Sequence, residues 1–382
     1  MTIAISANFD SGNIEVLSIR GPHEIELAIR KDAQSDFYQW FHFRLTGAAG
    51  TPCTLRIVNC GGAAYPDGWP GYQARVSEDR QSWTQAETSY ADGVLTIRYT
   101  PRTSSAWFAY FAPYSMERHA DLVARMANRP GVSVSVLGQT LDGQDLDLLT
   151  VSAPNSHASD KEKLAVWLIA RQHPGESMAE WWMEGMLERL TDPADPVATR
   201  LKERACFYVV PNMNPDGSRR GHLRTNAAGT NLNREWHEPS LDKSPEVYHV
   251  LAHMVHVGCD VCLDVHGDEA LPHNFIAGFE GVAAASHHQF ALLERYKAAL
   301  ARLSPDFQTR VGYPPAAPGK ANMSMSTNAL AGRFGALAMT LEMPFKDVAE
   351  NPDPLHGWSP ERAKHLGRAC LDALLEVSPD IR

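Results

Sequence analysis

Apolar and polar residues alternate over short stretches in the first hundred residues of the chain. Four apolar side chains of the segment FYQWFHFRL, from Phe37 to Leu45, fall on one face, and the segment after Asp92-Gly93 repeats the pattern. Between them lie LRIVN and the Gly/Pro-rich stretch CGGAAYPDGWPG. Strand-period alternation with turn signals at short intervals predicts a small antiparallel β-sandwich.

The pattern changes near WFAYFAPYSMERH, where Ser115 can cap a helix that Pro130-Gly131 ends. Beyond this point strands alternate with longer helical segments, which predicts an α/β domain with a mixed, largely buried sheet. We therefore predict a β-sandwich domain over residues 1–113 and an α/β domain over residues 114–382. After VSVSVLG and LDLLTVS, the predicted strands are AVWLIA, CFYVVP, VCLDVHG, HNFIAG and ALAMTLEM, and the predicted helices span 177–190, 245–257, 285–303 and 360–377.

The composition and net charge of the chain argue against some classes of partner. The 382 residues are 44% apolar and carry a net charge of −10, which is typical of a globular enzyme and disfavours nucleic acid or an acidic membrane as partner. The start of the chain lacks the pattern of a secretory signal, and no apolar run approaches the roughly 20 residues that cross a bilayer. We expect a soluble cytoplasmic protein whose six cysteines are free, buried thiols. Homo-oligomer formation stays open.

Two strand ends carry residues that suit a metal. His173 and Glu176 follow the strand AVWLIA, and His266 ends the strand VCLDV. Two imidazoles and one carboxylate leave a fourth zinc position for water, which is the arrangement of a catalytic site. Taken alone, a His and a Glu three positions apart are also typical of unrelated surface residues. His266 taken alone is also typical of a hydrogen-bonded core histidine.

Several separated motifs resemble the zinc metallocarboxypeptidases, specifically their cytosolic carboxypeptidase-like branch. These are HPGE at His173, PNMNPDG from Pro211, HLR from His222, NLNREW from Asn231 and TLEM around Glu342. The segments YQWFHFRLTG and WFAYFAPYSMERH are also similar to this branch, whose members carry a small β-sandwich ahead of a mixed-sheet catalytic domain. The motifs occur in the family order along nearly the whole chain.

The resemblance implies one zinc ion per chain, held by His173, Glu176 and His266, with Glu342 as general base and then general acid. A positioned carboxylate is needed to take the proton of the metal-bound water and pass it to the leaving amine. The expected reaction is hydrolysis of the C-terminal residue from a peptide or a protein tail.

Three further residues acquire roles from the resemblance. Arg224 is expected to stabilise the oxyanion of the scissile carbonyl, and Asn233 with Arg234 to bind the terminal carboxylate of the substrate. Each arginine taken singly is more typical of an exposed, solubilising charge. A free C-terminus would then select exopeptidase over endopeptidase action.

The chain also departs from the family pattern. Asn231 stands where many carboxypeptidases have an aspartate that orients the first zinc histidine, and Tyr313 is a distant candidate for the tyrosine that closes over the substrate. The branch is associated with removal of C-terminal acidic residues, which implies a cation in the specificity pocket. Arg310, Lys320 and Arg333 are candidates, and we favour Arg333.

Three alternatives stay open. A related zinc deacylase or peptidoglycan-peptide amidase shares the His/Glu/His pattern, and an inactive scaffold would serve as a binding module. Cys259 and Cys262 have the spacing of a structural metal site, but their apolar strand favours inert buried thiols. Recurring histidines are interpreted as helix-surface residues at His249, His253, His256, His287 and His288.

Overall fold

Two five-stranded sheets form the N-terminal part of the computed structural model, which describes residues 2–153 and 163–382. In chain order their strands are β1 (Ala4–Ser6), β2 (Glu15–Gly21), β3 (Glu24–Ala28), β4 (His42–Thr46), β5 (Cys53–Ile57), β6 (Arg75–Ser77), β7 (Thr84–Gln85), β8 (Glu87–Ala91), β9 (Val94–Tyr99) and β10 (Ser105–Ala109). One sheet has the order β1-β4-β10-β6-β7 and the other the order β2-β3-β5-β9-β8. The neighbours are antiparallel except β3 and β5, because the chain between these two passes through β4 of the other sheet.

Phe41, Phe43 and Leu45 are buried in the core of these sheets, as the alternation predicts. Phe37 is only half-buried, however, and the intervening residues Gln39, Trp40 and His42 are buried as well. The strand predicted over FYQWFHFRL nevertheless begins only at His42. Ahead of it the chain turns back on itself, because the N–H of Asp32 donates to the carbonyl of Phe37 at 2.8 Å. That turn lies beside the second part of the molecule and bears on the site described below.

A seven-stranded mixed sheet forms the centre of the second part. Its strands are β11 (Val132–Gln139), β12 (Asp145–Val151), β13 (Leu164–Ala170), β14 (Ala205–Val210), β15 (Val261–Asp268), β16 (Phe275–Ala277) and β17 (Leu337–Pro344), in the spatial order β11-β12-β14-β13-β15-β17-β16. β14, β13, β15 and β17 are parallel, whereas the outer strands pair in antiparallel fashion. Both faces of the parallel strands are buried, which explains their continuous apolar sequences.

Eight α-helices are formed within the described residues. They are α1 (Met116–Ala127), α2 (Met178–Leu190), α3 (Pro196–Arg204), α4 (Pro215–Arg220), α5 (Pro245–Val257), α6 (His287–Leu303), α7 (Ser326–Phe334) and α8 (Pro360–Val377). None of the helices in residues 2–153 and 163–382 is both long and apolar enough to cross a bilayer.

Helices α2 and α8 pack closely against each other behind the sheet. A Cβ atom added at Gly185 would lie 2.4 Å from the Cα of Lys364, and one added at Gly367 would lie 2.4 Å from the carbonyl oxygen of Trp182. Glycine at both positions therefore permits the approach of the two helix backbones. This packing holds α2 rigidly, and α2 directly follows the predicted metal-binding loop.

The predicted mixed α/β fold and the predicted long helices are confirmed. Ser115 caps α1 by accepting a hydrogen bond from the N–H of Arg118, as expected. Three helices were not predicted: α3, α4 and α7, of six to nine residues. All six cysteines are free and buried, which agrees with the sequence-based expectation.

Candidate metal centre

The loop between β13 and α2 carries the predicted metal ligands His173 and Glu176, and a buried arginine holds the conformation of this loop. Arg171 adopts a left-handed backbone conformation with φ of 61°. Its Nη1 donates to Glu180 Oε2 and to the carbonyl of Tyr114, both at 2.7 Å, and its Nε donates to the carbonyl of Pro174 at 3.0 Å. The side chain therefore holds the loop in the strained conformation that its backbone adopts.

His173, Glu176 and His266 converge at the carboxyl ends of β13 and β15. Nδ1 of His173 lies 2.7 Å from Glu176 Oε1, and Nδ1 of His266 lies 2.8 Å from Glu176 Oε2. The two Nδ1 atoms are 3.1 Å apart, and all three side chains are buried. Two imidazole nitrogens and a carboxylate at this spacing are a donor set that Zn²⁺ accepts. Within the described residues, this is the one group of His, Cys, Asp and Glu side chains with metal-binding spacing.

The opposite ring nitrogens of both histidines face acceptor oxygens. Nε2 of His173 lies 3.1 Å from Asn231 Oδ1, and Nε2 of His266 lies 2.9 Å from Asp264 Oδ2. The same Asp264 oxygen accepts hydrogen bonds from Gln172, at 2.5 Å, and from Ser326. The hydrogen bond to Asn231 places a proton on His173 Nε2 and leaves its Nδ1 free to bind a metal, and the Asp264 carboxylate beside His266 Nε2 attracts a proton to that nitrogen.

Burial and neighbouring charges tune these groups. Burial, aided by the nearby Arg224, lowers the pKa of His173 to about 4, so its imidazole is neutral at pH 7. Burial opposes ionisation of Glu176, but the adjacent His173 and His266 outweigh it and lower the pKa of this carboxyl. A neutral imidazole and an ionised carboxylate are the forms that bind a divalent metal.

Glu342 lies on β17 directly opposite His266 in the parallel register of β15 and β17. Its side chain is buried, and among the described residues no hydrogen-bond donor reaches its Oε2 atom. Burial raises the pKa of this carboxyl well above its usual range. A carboxyl with a free oxygen and a raised pKa, beside a metal-binding group, is suited to proton transfer.

The three residues expected to contact substrate line the same cavity of about 460 Å³ as the metal group and Glu342. The guanidinium carbon of Arg224 lies 5.4 Å from the ring centre of Tyr65 and 5.6 Å from that of Phe37. Asn233 Oδ1 accepts from the N–H of Ser326 at 2.9 Å.

Arg234 completes the substrate side of this cavity. Its Nη1 donates to the carbonyl of Asn233 at 2.6 Å. Burial, aided by Arg224, lowers the pKa of Arg234, and a guanidinium stays charged at neutral pH even so. The partly buried Arg224 and the more exposed Arg234 thus face one cavity, and each can bind or stabilise an anion there.

The three basic residues considered for the specificity pocket do not lie together in the structure. Arg333 is exposed at the end of α7, and neither Arg333 nor the exposed Lys320 is among the residues that line the cavity. Arg310 lines an adjoining cavity of about 560 Å³, together with Lys297. Tyr313 lines both cavities, and its hydroxyl donates to Asp268 Oδ2 at 2.6 Å.

Three titratable residues of the cavity were not assigned to the site by the sequence analysis: Tyr65, Asp268 and Glu269. Asp268 and Glu269 follow His266 at the same strand end, and their position was a signal that both would face the cavity. Burial raises the pKa of Glu269 well above its usual range. Tyr65 comes from the N-terminal part, in a Gly/Pro-rich segment whose sequence gave no sign of a role at the site.

Cys259 and Cys262 are buried, and burial raises the pKa of both thiols. Raised thiol pKa values suit inert core residues and oppose metal binding, which requires the thiolate.

Comparisons with known proteins are consistent with this site. Residues 5–111 match the model of the cytosolic carboxypeptidase N-terminal domain, and residues 119–251 match the zinc carboxypeptidase model. A metallo-carboxypeptidase from Burkholderia cenocepacia is 44% identical, with a TM-score of 0.96 and 99% of both chains covered. A metallo-carboxypeptidase from Pseudomonas aeruginosa, in complex with (2-guanidinoethylmercapto)succinic acid, is 46% identical, with a TM-score of 0.95 over 99% of this chain and 100% of that one. Human cytosolic carboxypeptidase 1 is 30% identical over 65% of this chain, a match that spans only 23% of the human protein.

Proposed function

Because this chain belongs to the zinc carboxypeptidase family and is therefore a peptide hydrolase, we propose that it removes the C-terminal residue of peptides or protein tails. The observation that carries the proposal is the convergence of His173, Glu176 and His266 with Glu342 in one cavity. In this proposal the three side chains hold one zinc ion, since the spacing and chemistry of their donor atoms fit that metal.

Bound zinc would supply a water of lowered pKa and polarise the scissile carbonyl. Glu342 would take the proton from the attacking water and deliver it to the nitrogen of the leaving amine. Its Oε2 atom has no hydrogen-bond donor among the described residues and is open to the attacking water, and burial raises the pKa of the carboxyl, which makes the carboxylate a stronger base. Arg224 would stabilise the negative charge that develops on the carbonyl oxygen, because its guanidinium is held in place before the reaction.

Asn233 and Arg234 would bind the terminal carboxylate of the substrate. Both line the cavity that contains Glu342, and a guanidinium can bind a carboxylate through two parallel hydrogen bonds. The Pseudomonas relative is in complex with a compound that carries carboxylates as well as a guanidino group, and its carboxylates agree with the carboxylate recognition proposed for this chain.

For the side chain of the released residue we propose a preference for Glu or Asp. The support is that Lys297 and Arg310 outnumber Glu280 in the adjoining cavity, which shares Tyr313, Met325 and Asn328 with the catalytic cavity. We further propose a reducing, cytoplasmic environment, since the buried cysteines are all free.

The test is a panel of peptides that differ only at the C-terminus, incubated with the zinc-loaded protein. We expect release of a free C-terminal Glu or Asp and no turnover when the terminal carboxylate is blocked as an amide. Unchanged cleavage of the amide would favour the deacylase or amidase alternative. A failure to cleave any peptide, with no zinc retained, would favour a binding module.

The acidic preference has its own variant pair. Arg310→Gln should reduce turnover of the Glu-ending peptide relative to a Phe-ending one, because it removes a cation of the adjoining cavity. Arg333→Gln removes an equal charge from the exposed end of α7, outside both cavities, and should leave the ratio unchanged. A preference for Lys or Phe in the parent protein would refute the acidic part alone.

A further inference from the structure

One carboxylate of the N-terminal part holds the turn that carries Arg224. Asp32 Oδ1 accepts from the N–H of Leu223 at 2.6 Å. Asp32 Oδ2 accepts from the N–H of Arg224 at 2.8 Å, and from the N–H and hydroxyl of Thr225 at 2.9 and 3.0 Å. The Asp32 side chain is buried, at 2% exposure, so these donors and not water satisfy it.

This acceptor is chemically suited to the task. Three successive backbone N–H groups point the same way, and an ionised carboxylate offers about four lone-pair positions and no donor of its own. An asparagine would present an NH₂ group to one or more of these donors, which would leave buried donors unpaired. The carboxylate therefore fixes the backbone of residues 223–225 in one geometry.

Two rings of the same N-terminal part flank the Arg224 side chain. The ring centres of Phe37 and Tyr65 lie 5.6 and 5.4 Å from its guanidinium carbon, a distance typical of cation–π contacts. Within the described residues the buried Nε atom of Arg224 has no hydrogen-bond acceptor. The backbone hydrogen bond to Asp32 and the two ring contacts therefore restrain Arg224.

The same turn reaches the metal-binding loop. The N–H of Gly175, between His173 and Glu176, donates to the carbonyl of Leu223 at 2.9 Å. A Cβ atom at position 175 would lie 2.9 Å from that carbonyl oxygen, so a side chain there would push the two segments apart. Asp32 is therefore linked to the metal-binding loop through Leu223, whose N–H donates to Asp32 and whose carbonyl accepts from Gly175.

We propose that Asp32 is a positioning residue for Arg224, so that the N-terminal β-sheet part completes the active site of the second part. The inference rests on the oxyanion-stabilising role proposed above for Arg224. Loss of the Asp32 carboxylate would let the turn shift, and a displacement near 1 Å in a catalytic group can cost about 100-fold in rate.

The test is a double-mutant cycle of Asp32→Asn and Arg224→Ala in the zinc-loaded full chain, with kcat and KM measured on a peptide with a free C-terminus. Asp32→Asn alone should lower kcat by about 10- to 100-fold with little change in KM, because Arg224 acts on the transition state. In the Arg224→Ala background the same substitution should cost less than about 3-fold, since the group it positions is gone. Zinc content and thermal melting are recorded for every variant.

Asp79→Asn is the matched control. Asp79 also holds a turn in the N-terminal part, where its Oδ1 accepts from the N–H groups of Gln81 and Ser82 at 2.8 and 2.7 Å. It is not among the residues that line the catalytic cavity. Its kcat should stay within about 2-fold of the parent. An equal fold loss from Asp32→Asn with and without Arg224 would overturn the positioning role.

The cycle separates this inference from the proposed function. If Arg224→Ala alone leaves kcat unchanged, the proposed oxyanion role fails and the inference fails with it. If Arg224→Ala is impaired but Asp32→Asn is not, only the inference fails. Should Asp32→Asn not fold, Asp32→Glu in the same cycle decides, because it keeps the charge but moves the acceptor oxygens by one methylene relative to residues 223–225. The inference requires a kcat loss for Asp32→Glu that disappears with Arg224→Ala.

Discussion

Replacing Asn231 by aspartate should strengthen metal binding. Asn231 Oδ1 accepts from His173 Nε2 at 3.1 Å and from the N–H of Asn233, also at 3.1 Å. Aspartate has the same shape and keeps an oxygen at this position, so both hydrogen bonds can persist. The change adds a negative charge to the acceptor that holds the histidine, which raises the basicity of the imidazole toward a metal.

The expected size follows from the energies of such bonds. A neutral hydrogen bond contributes about 0.5–1.5 kcal/mol and one to a charged group about 1.5–3 kcal/mol, so the gain is about 1 kcal/mol, or roughly 5-fold in zinc affinity. Asn231→Ala removes the acceptor, and loss of such a partner of a metal-binding histidine typically costs 10- to 100-fold. Because the lost partner is neutral, we expect a loss of about 10-fold.

The assay is competition between the protein and a chelator of known zinc affinity at pH 7.5. Asn128→Asp is the control, since it adds the same charge at the exposed C-terminal end of α1 and should not change the affinity. The reasoning is refuted if Asn231→Asp binds zinc no more tightly than the parent, or if Asn231→Ala matches the parent.

Three further outcomes are expected. Glu342→Gln should retain zinc but lose at least about 100-fold in kcat, because an amide cannot shuttle the proton; retained turnover would exclude this role. Arg234→Met should raise KM for free C-termini more than it lowers kcat, and a selective fall in kcat alone would speak against carboxylate binding. His119 is a pH-dependent stabiliser: burial opposes its charge, but Glu180 and Asp147 outweigh it and raise its pKa to about 9, from about 6.5 when unfolded. This stabilisation, about 3 kcal/mol, is complete below about pH 6.5 and is lost as pH rises through 9. Urea unfolding should show that the free energy of unfolding falls less between pH 6.5 and pH 9.5 in His119→Gln than in the parent protein. An equal fall in both proteins would contradict this role.

Long elements with strong local signals were predictable from the sequence. Helix α8, capped by Ser359 with proline at its first position, follows directly from residue types. The six-residue α4 was not separable from a turn, because Pro215 and Gly217 are equally typical of both. The segment ahead of His42 has strand periodicity, but its turn around Asp32 is set by contacts with residues 223–225, nearly two hundred positions away.

The site residues also divide into those that local sequence signals predict and those that only long-range packing places. His173, Glu176, His266 and Glu342 lie at the ends of buried strands, where parallel topology brings side chains together. Arg333 was favoured among three basic residues that precede Glu342 in the chain, yet the sequence contains no information about which way the end of α7 faces. Tyr65 reaches the cavity only because the two parts of the molecule pack together, and no local pattern encodes that packing.

The central claim is that two histidines and one glutamate bind a single zinc ion beside Glu342. X-ray absorption at the zinc edge, on protein loaded to equilibrium, tests it most directly. We predict one zinc per chain with two imidazole nitrogens and only oxygen ligands besides, and loss of that zinc in His266→Ala. Sulfur ligands, which would point to Cys259 and Cys262, or an unchanged spectrum in His266→Ala, would contradict it.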